Sequence, residues 1–247
     1  MTKSIMITGA SSGIGKALAF ELAKRGNSLG LTARRQELLE TIREEIQRLY
    51  PSVTVEVRTL DVTDYDAVSE TVRDLADALH GLDIVIANAG IGLNESIGTG
   101  QFETSRKTIE VNLIGAMATV DAAVGYFLER GSGHIVGVSS VGAFRGMPTD
   151  GSYGASKAGL ANYLEALRVE VYGKNIDVTV LYPGFIETPM TENLTSKPFV
   201  ISVEKAAGII SGLIERKVKS TTVPVFPWSI IWRLLKIMPA GVIAKMG

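Results

Sequence analysis

The sequence predicts an α/β protein, a single doubly wound domain of about seven parallel strands with helices on both faces. Short apolar runs alternate with longer segments of helical periodicity, the pattern of strands joined by crossover helices. Several of the runs are apolar throughout instead of alternating, as expected of strands covered on both faces. A glycine-rich turn joins the first run to the first helical segment. With 247 residues, 46% of them hydrophobic, the chain is long enough to bury one large core.

The predicted strands are Ser4–Thr8, Ser28–Ala33, Thr54–Leu60, Leu82–Ala87, Gly133–Ser139, Asp177–Tyr182 and Thr221–Val225. Between them the periodicity predicts helices over Gly13–Arg25, Gln36–Leu49, Tyr65–Leu79, Phe102–Glu129, Tyr153–Lys174 and Val203–Lys217. No linker, low-complexity stretch or fixed-period repeat interrupts them, so residues 1–226 read as one domain and 227–247 as a helical extension of it. Residues 1–8 lack the basic start and long apolar core of a signal peptide and read as the first strand of a cytosolic protein.

Composition narrows the chemistry. A net charge of −1 lacks the basic bias of a nucleic-acid binder. With no cysteine, disulfides, thiolate catalysis and cysteine-ligated metals are excluded. The two histidines, His80 and His134, fall in no metal-ligand spacing.

The first strand ends in Thr8-Gly-Ala-Ser-Ser-Gly-Ile-Gly15. Glycines at 9, 13 and 15 permit a tight turn and close approach of a phosphate to the helix N-terminus, where free N–H groups and the helix dipole favour negative charge. Gly9, Ser11, Ser12, Gly13, Ile14 and Gly15 are therefore candidate nucleotide contacts. The second strand runs into Ala33-Arg34-Arg35, with no carboxylate to bind ribose hydroxyls. Two guanidiniums there suit a 2′-phosphate and predict NADP(H) over NAD(H), although a charge pair opening a helix is also an ordinary solvated feature. Asp61 and Val62, after the third strand, would flank an adenine, and Asn88-Ala89-Gly90 leaves room for a ribose beyond the fourth. Asn112 lies among apolar residues, where satisfying a neighbouring backbone group and a functional role stay equally open. Tyr153 and Lys157, four apart on a helix, share a face, and an ammonium beside a phenol would lower the phenol's pKa. Ser140 could place a hydroxyl beside them.

These residues together carry a resemblance. Thr8-Gly9-x-x-x-Gly13-x-Gly15, Asn88-Ala89-Gly90, Asn112, Ser140, Tyr153-x-x-x-Lys157 and Pro183-Gly184 occur in the order and spacing of the short-chain dehydrogenase/reductase family. The resemblance spans about residues 3–225. It implies a Rossmann fold and nicotinamide-dependent chemistry on small-molecule alcohols and carbonyls. By that resemblance Tyr153 is the general acid or base, Lys157 lowers its pKa and holds the nicotinamide ribose, and Ser140 binds the substrate oxygen. Asn112 holds a water of a proton relay. Pro183, Gly184, Ile186 and Thr188 form the turn beneath the nicotinamide. Residues 189–202 are expected to be a mobile substrate lid, and Val141–Ser152 a wall of the substrate pocket. The family's habit of dimerising or tetramerising through long helices points to 102–129 and 153–174.

From Lys217 onward the chain turns basic: Lys217, Lys219, Arg233, Lys236 and Lys245 occur with no acidic residue. Trp228, Ile231, Trp232 and Leu235 would share one helical face. Arg233, Lys236 and Pro239 interrupt the apolar run too early for a membrane span. Packing over the cleft or on a partner subunit, and peripheral contact with a membrane, both remain open for this segment. An apolar tail over the cleft would suit a lipophilic substrate. The competing reading of the whole chain is an NADP-binding regulatory or membrane-associated scaffold without chemistry.

Overall fold

The structure, a computed structural model, describes residues 2–192, 194 and 196–244. Asn193 and Thr195 of the expected lid and Lys245 of the basic tail lie outside the described residues. Seven strands form one parallel sheet: β1 (Ser4–Thr8), β2 (Ser28–Ala33), β3 (Val55–Thr59), β4 (Ile84–Ala87), β5 (Gly133–Val138), β6 (Ile176–Pro183) and β7 (Ser220–Val223). Their spatial order is β3-β2-β1-β4-β5-β6-β7. The order reverses between β1 and β4, which pair from Ile5 with Ile84 to Ile7 with Ile86. At such a reversal the crossovers diverge to opposite faces and leave a crevice at the carboxyl ends of the strands.

The helices are α1 (Gly13–Lys24), α2 (Gln36–Leu49), α3 (Tyr65–Ala78), α4 (Phe102–Ile109), α5 (Gly115–Arg130), α6 (Gly151–Glu170), α7 (Val203–Glu215), α8 (Trp228–Ile237) and α9 (Ala240–Ile243). They divide the core in two. Ile5 and Ile7 point to the side of α1, α2 and α7, where they meet Leu18, Leu39 and Ile210. Met6 points to the side of α3, α5 and α6 and meets Val72, Phe127 and Leu164. This is the period-two consequence of a strand buried on both faces. On β5 the side chains of Phe127 and Leu164 occupy the space above Gly133 and Gly137, and a Cβ at either position would overlap them. Asp64 caps α3 by accepting from Ala67 N at 3.2 Å, and Ser202 caps α7 by accepting from Lys205 N at 3.3 Å.

The long helix predicted over Phe102–Glu129 is interrupted by a π-helical turn, Glu110–Ile114. The extra residue in that turn carries Asn112 inward while the apolar faces of α4 and α5 keep their packing. Helix α6 begins at Gly151, two residues before the predicted start, and ends at Glu170. The span Phe102–Arg130 is long and apolar enough to cross a membrane, but it packs against the sheet and its neighbours as a core helix.

The tail forms α8 and α9. Trp228 is 3% exposed and sits against the Gly184 backbone, so closely that a Cβ on Gly184 would collide with Trp228 Nε1. Trp232 stacks on Phe144 with ring centroids 4.9 Å apart, and Phe144 in turn lies 4.6 Å from Tyr182. Arg145 Nη2 donates to Met238 O at 3.2 Å. One face of α8 is thus packed on the turn that follows β6 and on the loop that follows β5.

Candidate active site

A cleft of about 250 Å³ runs along the carboxyl ends of the strands on both sides of the β1–β4 reversal. Its floor is held by Thr8 and Asn88. Thr8 Oγ1 accepts from both Asn88 N and Ala89 N at 3.1 Å, and Asn88 Nδ2 donates to Thr8 O at 2.9 Å. These bonds sew the end of β4 to the glycine turn after β1. Gly9 has φ +68, and a Cβ there would lie 2.8 Å from Ala89 Cα; at Gly15 it would collide with Gly9 O. The turn closes this tightly only with glycine at both positions. Gly13 opens α1, whose N-terminus faces the cleft beside Ser11, Ser12 and Ile14.

Two guanidiniums stand at one end. Arg35 Nη2 donates to Ser11 Oγ at 3.0 Å and to Ser12 Oγ at 3.2 Å, tying the end of β2 to the glycine turn. Arg34 Nη1 lies 3.9 Å from Asp61 Oδ2 and is largely exposed. Ala33, the last residue of β2, also lines the cleft. Asp61 Oδ1 accepts from Thr63 N at 3.0 Å and from Thr63 Oγ1 at 2.8 Å. Partial burial pushes the Asp61 carboxyl up, but the Thr63 bonds, Arg34 and Lys107 outweigh it and hold the pKa below the usual value. Val62 is buried against Gly115, the first residue after the π-helical turn.

At the other end stand Ser140, Tyr153 and Lys157. Both adjacent serines border the cleft, but Ser139 Oγ donates to Lys157 O at 2.8 Å, whereas Ser140 Oγ accepts from Gly142 N at 3.1 Å and lies beside the Tyr153 phenol. Lys157 is 4% exposed, and its Nζ donates to Val138 O at 3.0 Å. Burial lowers its pKa to about 8. Nζ also lies 5.9 Å from the centroid of the Tyr153 ring.

The expectation that Lys157 depresses the phenol is not met in this geometry. Burial, the largest influence, pushes the Tyr153 pKa above its usual value; the Ser140 hydroxyl pulls it down and Asp150 pushes it further up. Loss of solvation weighs more on a phenolate than an ammonium that is itself desolvated and bonded to a carbonyl can restore.

Asn112, 0% exposed, spends most of its amide on one neighbour: Oδ1 accepts from Ile91 N at 2.7 Å, and Nδ2 donates to Ile91 O at 2.8 Å and to Ser156 Oγ at 3.3 Å. Of the two roles the sequence leaves open, the structure displays the backbone-satisfying one. The clamp holds the segment after Gly90, and Gly90 faces the gap between Asn112 Oδ1 and Lys157 Nζ, 3.2 and 3.3 Å from where its Cβ would be.

The turn after β6 brings Pro183, Gly184, Ile186 and Thr188 to the cleft, as well as Pro189, Met190 and Thr191. The two ends of the expected lid are tied: Ile201 N donates to Phe185 O at 3.2 Å, and Glu187 N to Ile201 O at 3.0 Å. Thr191 Oγ1 donates to Ile186 O at 2.6 Å.

Two acidic residues bordering the site were not singled out by the sequence. Glu95, 3% exposed, accepts from Ser152 N at 3.0 Å and so holds the N-terminus of α6, and Glu95 N donates to Thr149 O at 3.1 Å. Asp150 lies beside it; burial and then the Glu95 charge raise its pKa to about 6. The position of a Cβ on Gly142 would be 3.4 Å from Asp150 Oδ2, 3.5 Å from Ser140 Oγ and 3.6 Å from the Tyr153 ring, so Asp150 borders the reacting end. Asp150's place three residues before Tyr153 was a usable signal; a lone glutamate in a glycine-rich stretch was none. Among the described residues, no cluster of His, Cys, Asp and Glu is arranged to hold a metal ion.

Comparison with known proteins identifies the family. Residues 3–198 match the model of a family described as short chain dehydrogenase. An uncharacterized oxidoreductase of Mycobacterium tuberculosis is 39% identical over 240 residues, covering 96% of this chain and 94% of its own length. One from Myxococcus xanthus is 38% identical over 96% and 93%. Among solved structures, an alcohol dehydrogenase of the archaeon Thermococcus sibiricus complexed with 5-hydroxy-NADP superposes with a TM-score of 0.82 at 28% identity, over 90% of this chain and 96% of that one. Actinorhodin polyketide ketoreductase with NADPH gives a TM-score of 0.81 at 26% identity, over 90% and 95%.

Proposed function

Since the chain belongs to the short-chain dehydrogenase/reductase family of oxidoreductases, we propose that it is an NADP(H)-dependent enzyme interconverting a carbonyl and a primary or secondary alcohol. The observation that carries this reading is the two-ended cleft: Arg34 and Arg35 at one end, Ser140, Tyr153 and Lys157 at the other. The residues present fit such a dinucleotide. The crowded glycine turn leaves backbone N–H groups of α1 facing the cleft, and the guanidiniums at the end of β2 suit a 2′-phosphate. The NADP(H)-type ligands of the two solved relatives support the same choice.

When bound, the nicotinamide supplies or accepts the hydride. In reduction, the Ser140 hydroxyl hydrogen-bonds the substrate carbonyl oxygen and stabilises the negative charge that grows there. Tyr153 transfers its phenolic proton to that oxygen. A phenol held above its usual pKa by burial is protonated at neutral pH and serves first as an acid. Lys157, with a pKa of about 8, carries a proton at neutral pH and returns one towards the phenolate. Asn112 positions Ile91 and the gap beside Lys157 through which that proton is exchanged. In alcohol oxidation the same proton path runs in reverse, with Tyr153 as base. Homo-oligomer formation through α4–α5 and α6 belongs to the same reading, supported by the exposed apolar side chains Ile114, Leu128 and Val169.

The test is Tyr153→Phe, assayed by NADPH absorbance against a panel of ketones and aldehydes. Turnover should fall by about a hundredfold or more while NADPH affinity stays within about threefold. Turnover near the wild-type rate would overturn the assignment. A chain that binds NADPH but reduces nothing in any form would favour the scaffold reading.

A further inference from the structure

Helix α8 has two apolar faces and uses one. At about 100° per residue, Trp228, Ile231, Trp232 and Leu235 face the protein, where Trp228 is buried and Trp232 stacks on Phe144. Ile230, Leu234 and Ile237 fall within about 60° of one another on the opposite side. They are 51%, 52% and 79% exposed, and Phe226, just before the helix, is 72% exposed. Contiguous exposed apolar side chains of this size mark a contact surface.

The charge beside this stripe selects the partner. Arg233 is next to Ile230 and Ile237 on the helix, and Lys236 stands one step further round. Both are exposed and lie against Trp232, at 5.5 and 4.8 Å from the ring centroid. Neither has a carboxylate within ion-pair distance among the described residues. From Lys217 to the end the chain has five basic residues and no acidic one, which leaves the first 216 residues with 20 basic and 26 acidic, a net charge of −6. A basic, apolar face on an otherwise acidic body is oriented by a negatively charged apolar surface, which attracts the face and repels the body. A second copy meeting this patch about a twofold axis would bring Arg233 and Lys236 against their own counterparts, with no acid in the tail to answer them.

We propose that the outward face of α8 docks the protein on an anionic lipid surface, with Ile230, Leu234 and Ile237 entering the interface and Arg233 and Lys236 at the headgroups. The loop that carries Met190 into the cleft also carries Phe199, 56% exposed, onto the edge of Trp228 at 6.3 Å. Docking therefore places the lid side of the cleft near the bilayer and suits a lipophilic carbonyl or alcohol, a consequence that rests on the function proposed above.

Flotation of the full chain with vesicles measures the docking without reference to turnover, so the two readings fail separately. Binding is expected to vesicles of phosphatidylcholine with phosphatidylserine, to weaken with salt, and to be slight on phosphatidylcholine alone. Ile230→Gln/Leu234→Gln/Ile237→Gln should abolish it. Arg233→Gln/Lys236→Gln should weaken it about fivefold for each cation removed. Both variants should keep wild-type circular dichroism and NADPH binding. No binding to phosphatidylserine vesicles, or equal binding to neutral ones, overturns the proposal. So does a concentration-dependent dimer in sedimentation velocity that the triple variant abolishes while vesicle binding is unaffected, which would assign the face to a second copy.

Discussion

Replacing Lys157 with methionine separates what the residue does for chemistry from what it costs the fold. Its ammonium is nearly inaccessible, donates to one carbonyl at 3.0 Å, and has no carboxylate within ion-pair distance among the described residues. Burial moves its pKa from 10.5 to about 8, which means the fold disfavours the charged form by about 3 kcal/mol. Because the folded value lies below the unfolded one, the cost is complete below pH 8 and is relieved as the pH climbs from 8 towards 10.5. Methionine has a similar shape and no charge, but it leaves Val138 O without its donor, a loss of about 1 kcal/mol. Lys157→Met should therefore be more stable than wild type by about 2 kcal/mol at pH 7. The gap should narrow by about 1 kcal/mol at pH 9, where most of the wild-type lysine is already neutral. Denaturant unfolding without added nucleotide, at both pH values, measures the gap, and turnover of the same variant should fall by about a hundredfold or more. A variant less stable than wild type at pH 7, or a gap that does not change with pH, would refute the argument that an unpaired buried cation is held here against stability.

Three further outcomes are expected. Ala33→Asp with Arg34→Gln adds a carboxylate and removes a guanidinium where the 2′-phosphate is placed; fluorescence titration should show NADPH weakened by roughly 3 kcal/mol, about a hundredfold, with NADH unchanged or tighter. His134 is buried, its Nε2 2.8 Å from Thr179 Oγ1, and burial holds its pKa down to about 4. Its contribution to stability is complete above pH 6.5 and is lost as the pH falls towards 4, so in urea unfolding the stability of wild type relative to His134→Gln should fall by about 2 kcal/mol between pH 7 and pH 5, a difference in which the titration of other groups cancels. Asp150, with its pKa raised to about 6, costs the fold stability as it ionises, beginning above 3.8 and complete above 6. Thermal or urea unfolding of Asp150→Asn should show a gain of about 1–2 kcal/mol at pH 8 and nothing at pH 3.5, the gain being moderated by solvent because the side chain is only partly buried.

The elements with strong period were legible without coordinates. Continuous apolar strands such as Ser28–Ala33 and helices with one clear face such as Gln36–Leu49 match their predicted bounds, because local pattern and burial agree there. The π-helical turn was not legible, since Ile109-Glu-Val-Asn-Leu-Ile114 has ordinary helical periodicity and only the distant Ile91 backbone rewards the extra residue. The first turn of α6, from Gly151, is held by Glu95 of another loop, which accepts from Ser152 N and which local periodicity does not show.

By itself, the sequence determined the parallel α/β architecture, the crowded glycine turn and the order of the polar residues along the cleft. Those depend on properties each segment carries alone: period, the lack of a Cβ, and spacing on one helix. Tertiary structure decided the electrostatics. Whether Lys157 lowers the Tyr153 pKa is a contest between Coulomb attraction and loss of solvation, and the second is set by how many elements close over the pair. It likewise decided the tail. Tryptophans on one face foretold an amphipathic helix, but only the packing of Trp228 on Gly184 and Trp232 on Phe144 shows which face is spent on the protein and which is left outside.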